Sequence, residues 1–208
     1  MTYESLIFDI DGTLWDSRAL VAAGYNAQLE KEGLSHLCVT VEILTGLFGK
    51  TTEEIGQILF ASFPQPERLP LIKRCMQSEQ AYLERNASKE MAYPKVVETV
   101  RALCRKHRLF IVSNCEDGYP QRCMEALGLT DCFAGTLCHG QTGTGKGQTI
   151  LTLMKQFHVE NCVYIGDTQG DYEATLEAGI PFIWASYGFG TPAGYDAKIN
   201  SIDELLKM

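Results

Sequence analysis

The sequence predicts an α/β fold: a doubly wound parallel sheet with a Rossmann-like core, and an all-helical domain inserted after the first strand. Five short runs are almost continuously apolar, as expected of strands covered by helices on both faces. They are Leu6–Ile10, Leu109–Ser113, Phe133–Cys138, Cys162–Ile165 and Phe182–Ala185. Helical patterns separate the later runs, whereas residues 15–90 contain no clear strand. We therefore predict a core of residues 1–14 and 91–208 and a helical insert of residues 15–90.

Three segments predict helices in the insert. An apolar stripe between Leu20 and Leu29 indicates the first, and Thr51-Thr52-Glu53-Glu54 has the capping-box spacing that opens the second. The third is predicted over Leu71–Arg85, after the prolines at 64, 66 and 70. In the core, apolar residues recur at helical spacing over 96–104 and 150–157, and Gly128 and Gly179 fit helix C-termini.

Composition excludes several classes of protein. The chain has 208 residues, 18 basic and 26 acidic side chains and a net charge of −8, which argues against binding nucleic acid through the overall field. The longest apolar stretches are far shorter than the roughly 18 residues that span a bilayer, and the N-terminus lacks signal-peptide character. We expect a cytoplasmic protein whose eight cysteines are reduced and mostly packing residues, because no export signal is present. No Cys-x-x-Cys pair occurs, which disfavours a zinc ribbon or a thioredoxin-type motif. Cys115, beside the Ser113-Asn114 turn, is expected to pack, with oxidation as the weaker alternative.

The first predicted strand ends in a segment with two aspartates, Phe8-Asp9-Ile10-Asp11-Gly12-Thr13-Leu14. Carboxylates two positions apart on extended backbone point to the same side, and the glycine after them allows a turn and a close backbone approach. An ordinary turn after a strand is the alternative interpretation.

Polar residues also follow two later strands. Ser113-Asn114 ends the second run, and the fourth ends in Gly166-Asp167-Thr168-Gln169-Gly170-Asp171. Each alone fits turn chemistry, and Thr168 with Asp171 fits a helix cap. Together they place Asp or Ser at the same edge of the predicted sheet, which indicates a site there.

Lys146 closes a glycine-rich segment, residues 140–146, that matches the first seven positions of a P-loop. Gly147 stands where a P-loop requires Ser or Thr to bind a metal ion. We therefore favour a flexible loop that presents Lys146 to the edge of the sheet, with the P-loop as the weaker alternative.

Four segments, in their order along the chain, resemble the four motifs of the haloacid dehalogenase superfamily. They are Asp-x-Asp-Gly-Thr-Leu, Val-Ser-Asn, the lysine at 146 and Gly-Asp-Thr-x-x-Asp. The resemblance covers essentially the whole chain and is closest to the branch of phosphoglycolate phosphatases and β-phosphoglucomutases, in which the helical insert is a cap domain. The glycines before Lys146 depart from the Lys-Pro start that is frequent in that branch.

The resemblance implies the roles of the acidic residues. Asp9 is the expected nucleophile and Asp11 the expected general acid and base. Mg²⁺ is expected on the Asp9 carboxylate, the Asp11 backbone carbonyl and Asp167, with Asp171 acting through water or by orienting Lys146.

The remaining site candidates are substrate-binding. Ser113 and Asn114 are expected to bind phosphoryl oxygens, and Lys146 to neutralise their charge. A glycine-flanked loop between two predicted helices offers Lys50 as a cap residue that contacts substrate. The full substrate-binding set is Gly12, Thr13, Lys50, Ser113, Asn114 and Lys146.

We thus predict a magnesium-dependent phosphatase that acts on a small phosphomonoester through an aspartyl-phosphate intermediate. A phosphomutase of the same fold is the main alternative and a non-catalytic binding module a distant one. A dehalogenase is disfavoured because its chemistry does not need Asp11. The motifs leave phosphoglycolate, sugar phosphates and nucleotide monophosphates open as substrates, and they do not address oligomeric state.

Overall fold

The computed structural model describes residues 3–208, which divide into two compact units. One unit comprises the chain up to Asp16 together with Ser88–Met208, and the other is Ser17–Ala87. The two observed boundaries, after Asp16 and before Ser88, lie within three residues of the predicted ones. The assignment of the second unit as a cap remains a prediction.

The larger unit is built on a six-stranded, entirely parallel sheet in the order β3-β2-β1-β4-β5-β6. Its strands are β1 Ser5–Phe8, β2 Arg108–Ser113, β3 Phe133–Cys138, β4 Cys162–Gly166, β5 Phe182–Ala185 and β6 Ala197–Ile199. The central strands β1 and β4 are buried along their whole length, which explains their continuous apolar runs. The strand order reverses at β1, the place where open α/β sheets bind ligands.

Two differences from the predicted strands have simple physical reasons. β1 ends at Phe8 rather than Ile10, because the Ile10 carbonyl accepts the N–H groups of the turn that follows. The short edge strand β6 was missed because three residues, Ala-Lys-Ile, carry no recognisable apolar run.

The smaller unit is helical, as predicted. It contains α1 Arg18–Lys31, α2 Val41–Thr45, α3 Thr52–Leu59 and α4 Gln65–Asn86, with a 3₁₀ turn at Ser35–Leu37. The capping box of Thr51 and Glu54 is formed. The predicted start of the third helix at Leu71 was wrong: α4 begins six residues earlier, with Pro66 in its first turn and Pro70 inside it. Pro70 is the sixth residue of α4, beyond the N-terminal N–H groups that lack a helical partner, so it removes one hydrogen bond from the helix.

Five helices flank the sheet in the larger unit: α5 Val96–Leu103, α6 Tyr119–Leu127, α7 His139–Thr142, α8 Lys146–Phe157 and α9 Gln169–Ala178. Short 3₁₀ helices lie at Lys89–Met91 and Ile202–Lys207. Gly128 and Gly179 end α6 and α9 in left-handed conformations, as predicted. Along residues 3–208, no helix combines the length and apolar character that crossing a membrane requires.

Helices α1 and α4 of the smaller unit approach each other closely at Gly24. A Cβ atom at Gly24 of α1 would lie 2.6 Å from the Cα of Glu79 in α4, a backbone atom that no rotamer change can move. The close contact costs about 1–3 kcal/mol and helix propensity returns roughly 1 kcal/mol, so we expect Gly24→Ala to lower the free energy of unfolding by up to about 2 kcal/mol. Urea unfolding followed by circular dichroism measures this.

Gly46→Ala is the matched control in the same unit. A Cβ atom there meets only the Ile43 carbonyl at 3.7 Å, an ordinary contact, and the φ angle of −81° suits alanine. Equal unfolding midpoints for the two variants would contradict the close helix contact.

Candidate active site

Polar side chains from three neighbouring strands meet at the carboxyl edge of the sheet. Asp9 follows β1, Ser113 ends β2 and Asp167 follows β4, and β1 lies between the other two. Lys146 enters from the first turn of α8, and Asp171 from the first turn of α9. All five residues are buried. The structure therefore brings together the acidic, serine and lysine positions that were predicted from separate segments.

Lys146 links two of the carboxylates. Its Nζ atom lies 3.1 Å from Asp9 Oδ2 and 2.6 Å from Asp171 Oδ1, and it lies over the Tyr164 ring at 5.8 Å from the centroid. Burial opposes the charged ammonium, but the nearby carboxylates outweigh it and raise the pKa of Lys146. Lys146 is therefore a fixed positive charge at the site.

Asp171 acts both as a helix cap and as a partner of Lys146. Its Oδ2 atom accepts hydrogen bonds from the N–H groups of Asp167 and Thr168 and from the Thr168 hydroxyl, at 2.8–3.1 Å. Burial favours the neutral acid, but Lys146 and the Thr168 donors outweigh it and lower the pKa of Asp171. Asp171 is thus both of the things that the sequence suggested: it caps α9 and it contacts Lys146 in the site.

Both carboxylate oxygens of Asp167 are held in place. Phe189 N–H donates to Oδ2 at 2.7 Å, and the Thr13 hydroxyl donates to Oδ1 at 3.4 Å. Burial, then the charges of Asp171 and Asp9, raise the pKa of Asp167 well above its usual range. Gly12 permits this arrangement, because it has a φ of +82° and a Cβ atom there would lie 2.2 Å from Asp167 Oδ2.

The cluster carries excess negative charge that a divalent cation would balance. Oxygens of Asp9, Asp167 and Asp171 lie within 4.8 Å of one another, and three carboxylates with one ammonium leave a formal charge of −2. Burial, with Asp171 adding to it, raises the pKa of Asp9 to about 6 although Lys146 opposes the shift. Asp9 Oδ1 is buried and accepts no hydrogen bond from any residue among 3–208. An unused oxygen in an all-oxygen, net-negative cluster suits Mg²⁺, which prefers carboxylate ligands.

The Asp11 side chain has a different environment from that of Asp9. The expectation that both aspartates share one extended strand was wrong, because β1 ends at Phe8 and Asp11 lies in the following turn. Asp11 Oδ1 accepts hydrogen bonds from Trp15 Nε1 at 2.9 Å and from the Tyr119 hydroxyl at 2.8 Å.

The structure disfavours the P-loop interpretation. The segment 140–146 ends α7 and begins α8, with Gly143 in a left-handed turn between them. The lysine of this segment contacts Asp9 and Asp171. These contacts account for Lys146 without a nucleotide.

Two further candidates belong to the predicted substrate-binding set. Asn114 is half-buried, directly after β2. Lys50 belongs to the helical unit, where it lies between Gly49 and Thr51, the N-cap of α3. Its role in binding substrate stays a prediction.

Sequence reasoning missed four residues that hold the site. Trp15 and Tyr119 bind Asp11, Phe189 binds Asp167, and the Tyr187 hydroxyl donates to the Thr13 carbonyl at 2.9 Å. The Tyr187-Gly188-Phe189-Gly190 segment is glycine-rich, which could have indicated a close backbone approach. Nothing in the apolar pattern marks Trp15 or Tyr119.

Comparison with known proteins agrees with this geometry. Residues 6–185 match the family model described as haloacid dehalogenase-like hydrolase. A phosphoglycolate phosphatase from Agrobacterium fabrum is 28% identical over 192 residues, which are 88% of this chain and 80% of the relative. One from Chromobacterium violaceum is 28% identical over 217 residues, covering 97% and 94% of the two chains.

Solved structures show the same fold. A predicted phosphoglycolate phosphatase from Haemophilus somnus superposes with a TM-score of 0.84 at 22% identity, covering 100% of this chain and 98% of the other. A haloacid dehalogenase-like family hydrolase from Streptococcus pneumoniae gives 0.81 at 21% identity, with coverage of 99% and 97%. With the family model matching most of the chain, the protein belongs to the haloacid dehalogenase-like hydrolases.

Proposed function

We propose that this enzyme is a magnesium-dependent phosphatase that hydrolyses a small phosphomonoester through an aspartyl phosphate on Asp9. The observation that carries the proposal is the Asp9 carboxylate. One of its oxygens pairs with Lys146, and the other is buried without a hydrogen-bond donor among residues 3–208. Such a group is positioned as a nucleophile or metal ligand rather than as a structural ion pair.

The main barrier for a carboxylate nucleophile is its repulsion by a phosphate dianion. Lys146 and backbone N–H groups at the strand ends offset the charge that develops on the phosphoryl oxygens. Mg²⁺, held by the Asp9 carboxylate, the Asp11 carbonyl and Asp167, would supply two positive charges and polarise the phosphoryl group. Asp171 is proposed to fix Lys146, since its own oxygens already accept four hydrogen bonds.

Proton transfer is assigned to Asp11. In the first step the bond between phosphorus and the leaving oxygen breaks, Asp9 bonds to phosphorus, and the leaving oxygen takes the Asp11 proton. In the second step Asp11 takes a proton from water as the water oxygen displaces Asp9 from phosphorus. A positioned general acid and base contributes about 10²- to 10⁴-fold. Ser113 and Asn114 are proposed to bind the phosphoryl oxygens, together with Gly12 and Thr13 of the turn.

The substrate is proposed to be small and anionic, with a phosphoglycolate-like compound as the first candidate. Relatives that align along most of the chain are named phosphoglycolate phosphatases. We propose residues 15–90 as the cap domain and Lys50 as its cation for a second anionic group of the substrate. A phosphomutase would use the same residues and pass the phosphoryl group to a sugar hydroxyl.

The nucleophile is tested by Asp9→Asn. Phosphate release from a panel that includes 2-phosphoglycolate, sugar phosphates and nucleotide monophosphates should need Mg²⁺, stop with EDTA, and fall below detection in the variant. Asp131→Asn, at an exposed residue of the same unit, is the control and should retain activity. Wild-type-like turnover by Asp9→Asn would refute the nucleophile. Isomerisation of a sugar phosphate without net phosphate release, once a sugar bisphosphate is added, favours the phosphomutase. Neither release nor isomerisation by folded, Mg²⁺-loaded protein favours a binding module.

The metal site is tested by Asp167→Asn without measuring activity. In EDTA the variant should be more stable than the wild type, because it removes one uncompensated negative charge from the cluster. Each kcal/mol of charge repulsion removed should raise Tm by about 2–4 °C. Mg²⁺ should raise the Tm of the wild type and of Asp131→Asn but not that of Asp167→Asn. An equal Mg²⁺-induced shift in all three proteins would contradict ligation by Asp167.

The cap cation is tested by Lys50→Met. Loss of a charged hydrogen bond of about 1.5–3 kcal/mol predicts a 10- to 100-fold higher KM for the best substrate, with little change in kcat. Lys73→Met, at an exposed position of α4, is the control. The same KM in both variants and the wild type would remove Lys50 from the substrate-binding set.

A further inference from the structure

Two aromatic side chains donate hydrogen bonds to a single oxygen of Asp11. Trp15 Nε1 and the Tyr119 hydroxyl lie 2.9 Å and 2.8 Å from Oδ1. Trp15 is fully buried, Tyr119 is 3% exposed and Asp11 is 8% exposed. Two short hydrogen bonds to one oxygen in a buried environment fix both the rotamer of a carboxylate and the role of each oxygen.

The two donors are themselves held in place. Their rings pack edge to face, with centroids 5.8 Å apart. Trp15 closes the turn that contains Asp11, because its carbonyl accepts the Gly12 N–H at 3.0 Å. Tyr119 is the first residue of α6, and the helix fixes its backbone. Support of this kind holds a functional group within the small positional tolerance that catalysis requires.

We propose that Trp15 and Tyr119 are positioning residues that assign the transferable proton of Asp11 to Oδ2. This inference rests on the proposed function, in which Asp11 protonates the leaving oxygen. Because Oδ1 accepts two hydrogen bonds, the acidic proton resides on Oδ2 and points in one direction. During the first step that O–H bond breaks, its electron pair stays on Asp11, and the proton passes to the leaving oxygen as the phosphorus–oxygen bond breaks.

The consequence is a dependence on the leaving group. An alkoxide is a poor leaving group and needs the proton, whereas p-nitrophenolate departs without one. A misdirected acid should therefore slow the hydrolysis of an alkyl ester while sparing that of p-nitrophenyl phosphate. A structural defect would slow both esters alike, so the ratio of the two rates separates positioning from general damage.

The experiment compares benzyl phosphate with p-nitrophenyl phosphate for Tyr119→Phe, which removes only the hydroxyl. The measured quantity is kcat/KM, which reports phosphoryl transfer to Asp9 and excludes the later hydrolysis shared by both esters. We expect a 10- to 100-fold loss with benzyl phosphate, the equivalent of one hydrogen bond to a charged group, and less than a roughly 3-fold loss with p-nitrophenyl phosphate. Trp15→Phe should show the same selectivity. Tyr172→Phe is the control, because Tyr172 packs on Phe182 in the same unit, and it should leave kcat/KM unchanged for both esters.

Asp11→Ala separates failure of the inference from failure of the proposed function. Suppose that Asp11→Ala loses turnover of benzyl phosphate but keeps that of p-nitrophenyl phosphate, so that the proposed acid holds. The positioning role alone is then overturned if Tyr119→Phe lowers kcat/KM equally for both esters, or lowers it for neither. If the wild type hydrolyses neither ester, or Asp11→Ala slows both equally, the proposed acid itself fails and the positioning role fails with it.

Discussion

The site depends on one constraint: three carboxylates are buried together with a single ammonium. Burying unbalanced charge is costly, and the structure limits the cost by giving almost every oxygen a donor. Asp171 is stabilised by Lys146 and by the start of α9, and Asp167 by Thr13 and Phe189. Asp9 Oδ1 is the exception among these described groups. The remaining imbalance therefore lies at Asp9, the proposed nucleophile, where a bound cation would reduce it.

The sequence was sufficient to predict five of the six described strands and the polar residues where they end, for a physical reason. A strand covered on both faces must be apolar throughout, so its end is marked by the first polar residues, and parallel strands bring those ends together. Asp9, Ser113 and Asp167 were found in this way. Asp171 was recognised from its capping spacing, which reports only local geometry, and its contact with Lys146 depends on the packing of α8 against the sheet.

Most of the remaining contacts could not be predicted because their partners lie far apart in the chain; the contact of Trp15 with Asp11, four positions apart, is the exception. Tyr119 lies 108 positions from Asp11, and its hydroxyl is buried like any core aromatic. Local sequence signals also gave a wrong helix boundary where tertiary packing decided it. Three prolines suggested that α4 began at Leu71, yet the helix continues through Pro70, because the packing of α1 on α4 outweighs the one lost hydrogen bond.

The two aspartates of the first motif show how a short segment can hold two groups in different electrostatic states. Asp9 lies where ammonium and carboxylate charges meet, whereas Asp11 lies two residues on among neutral donors from Trp15 and Tyr119. The turn at Ile10 and Gly12 makes this separation possible, because continued strand geometry would point both side chains into one field. Two carboxylates in one field would compete for the same cation. The early end of β1 thus gives the proposed nucleophile, Asp9, and the proposed acid, Asp11, separate surroundings.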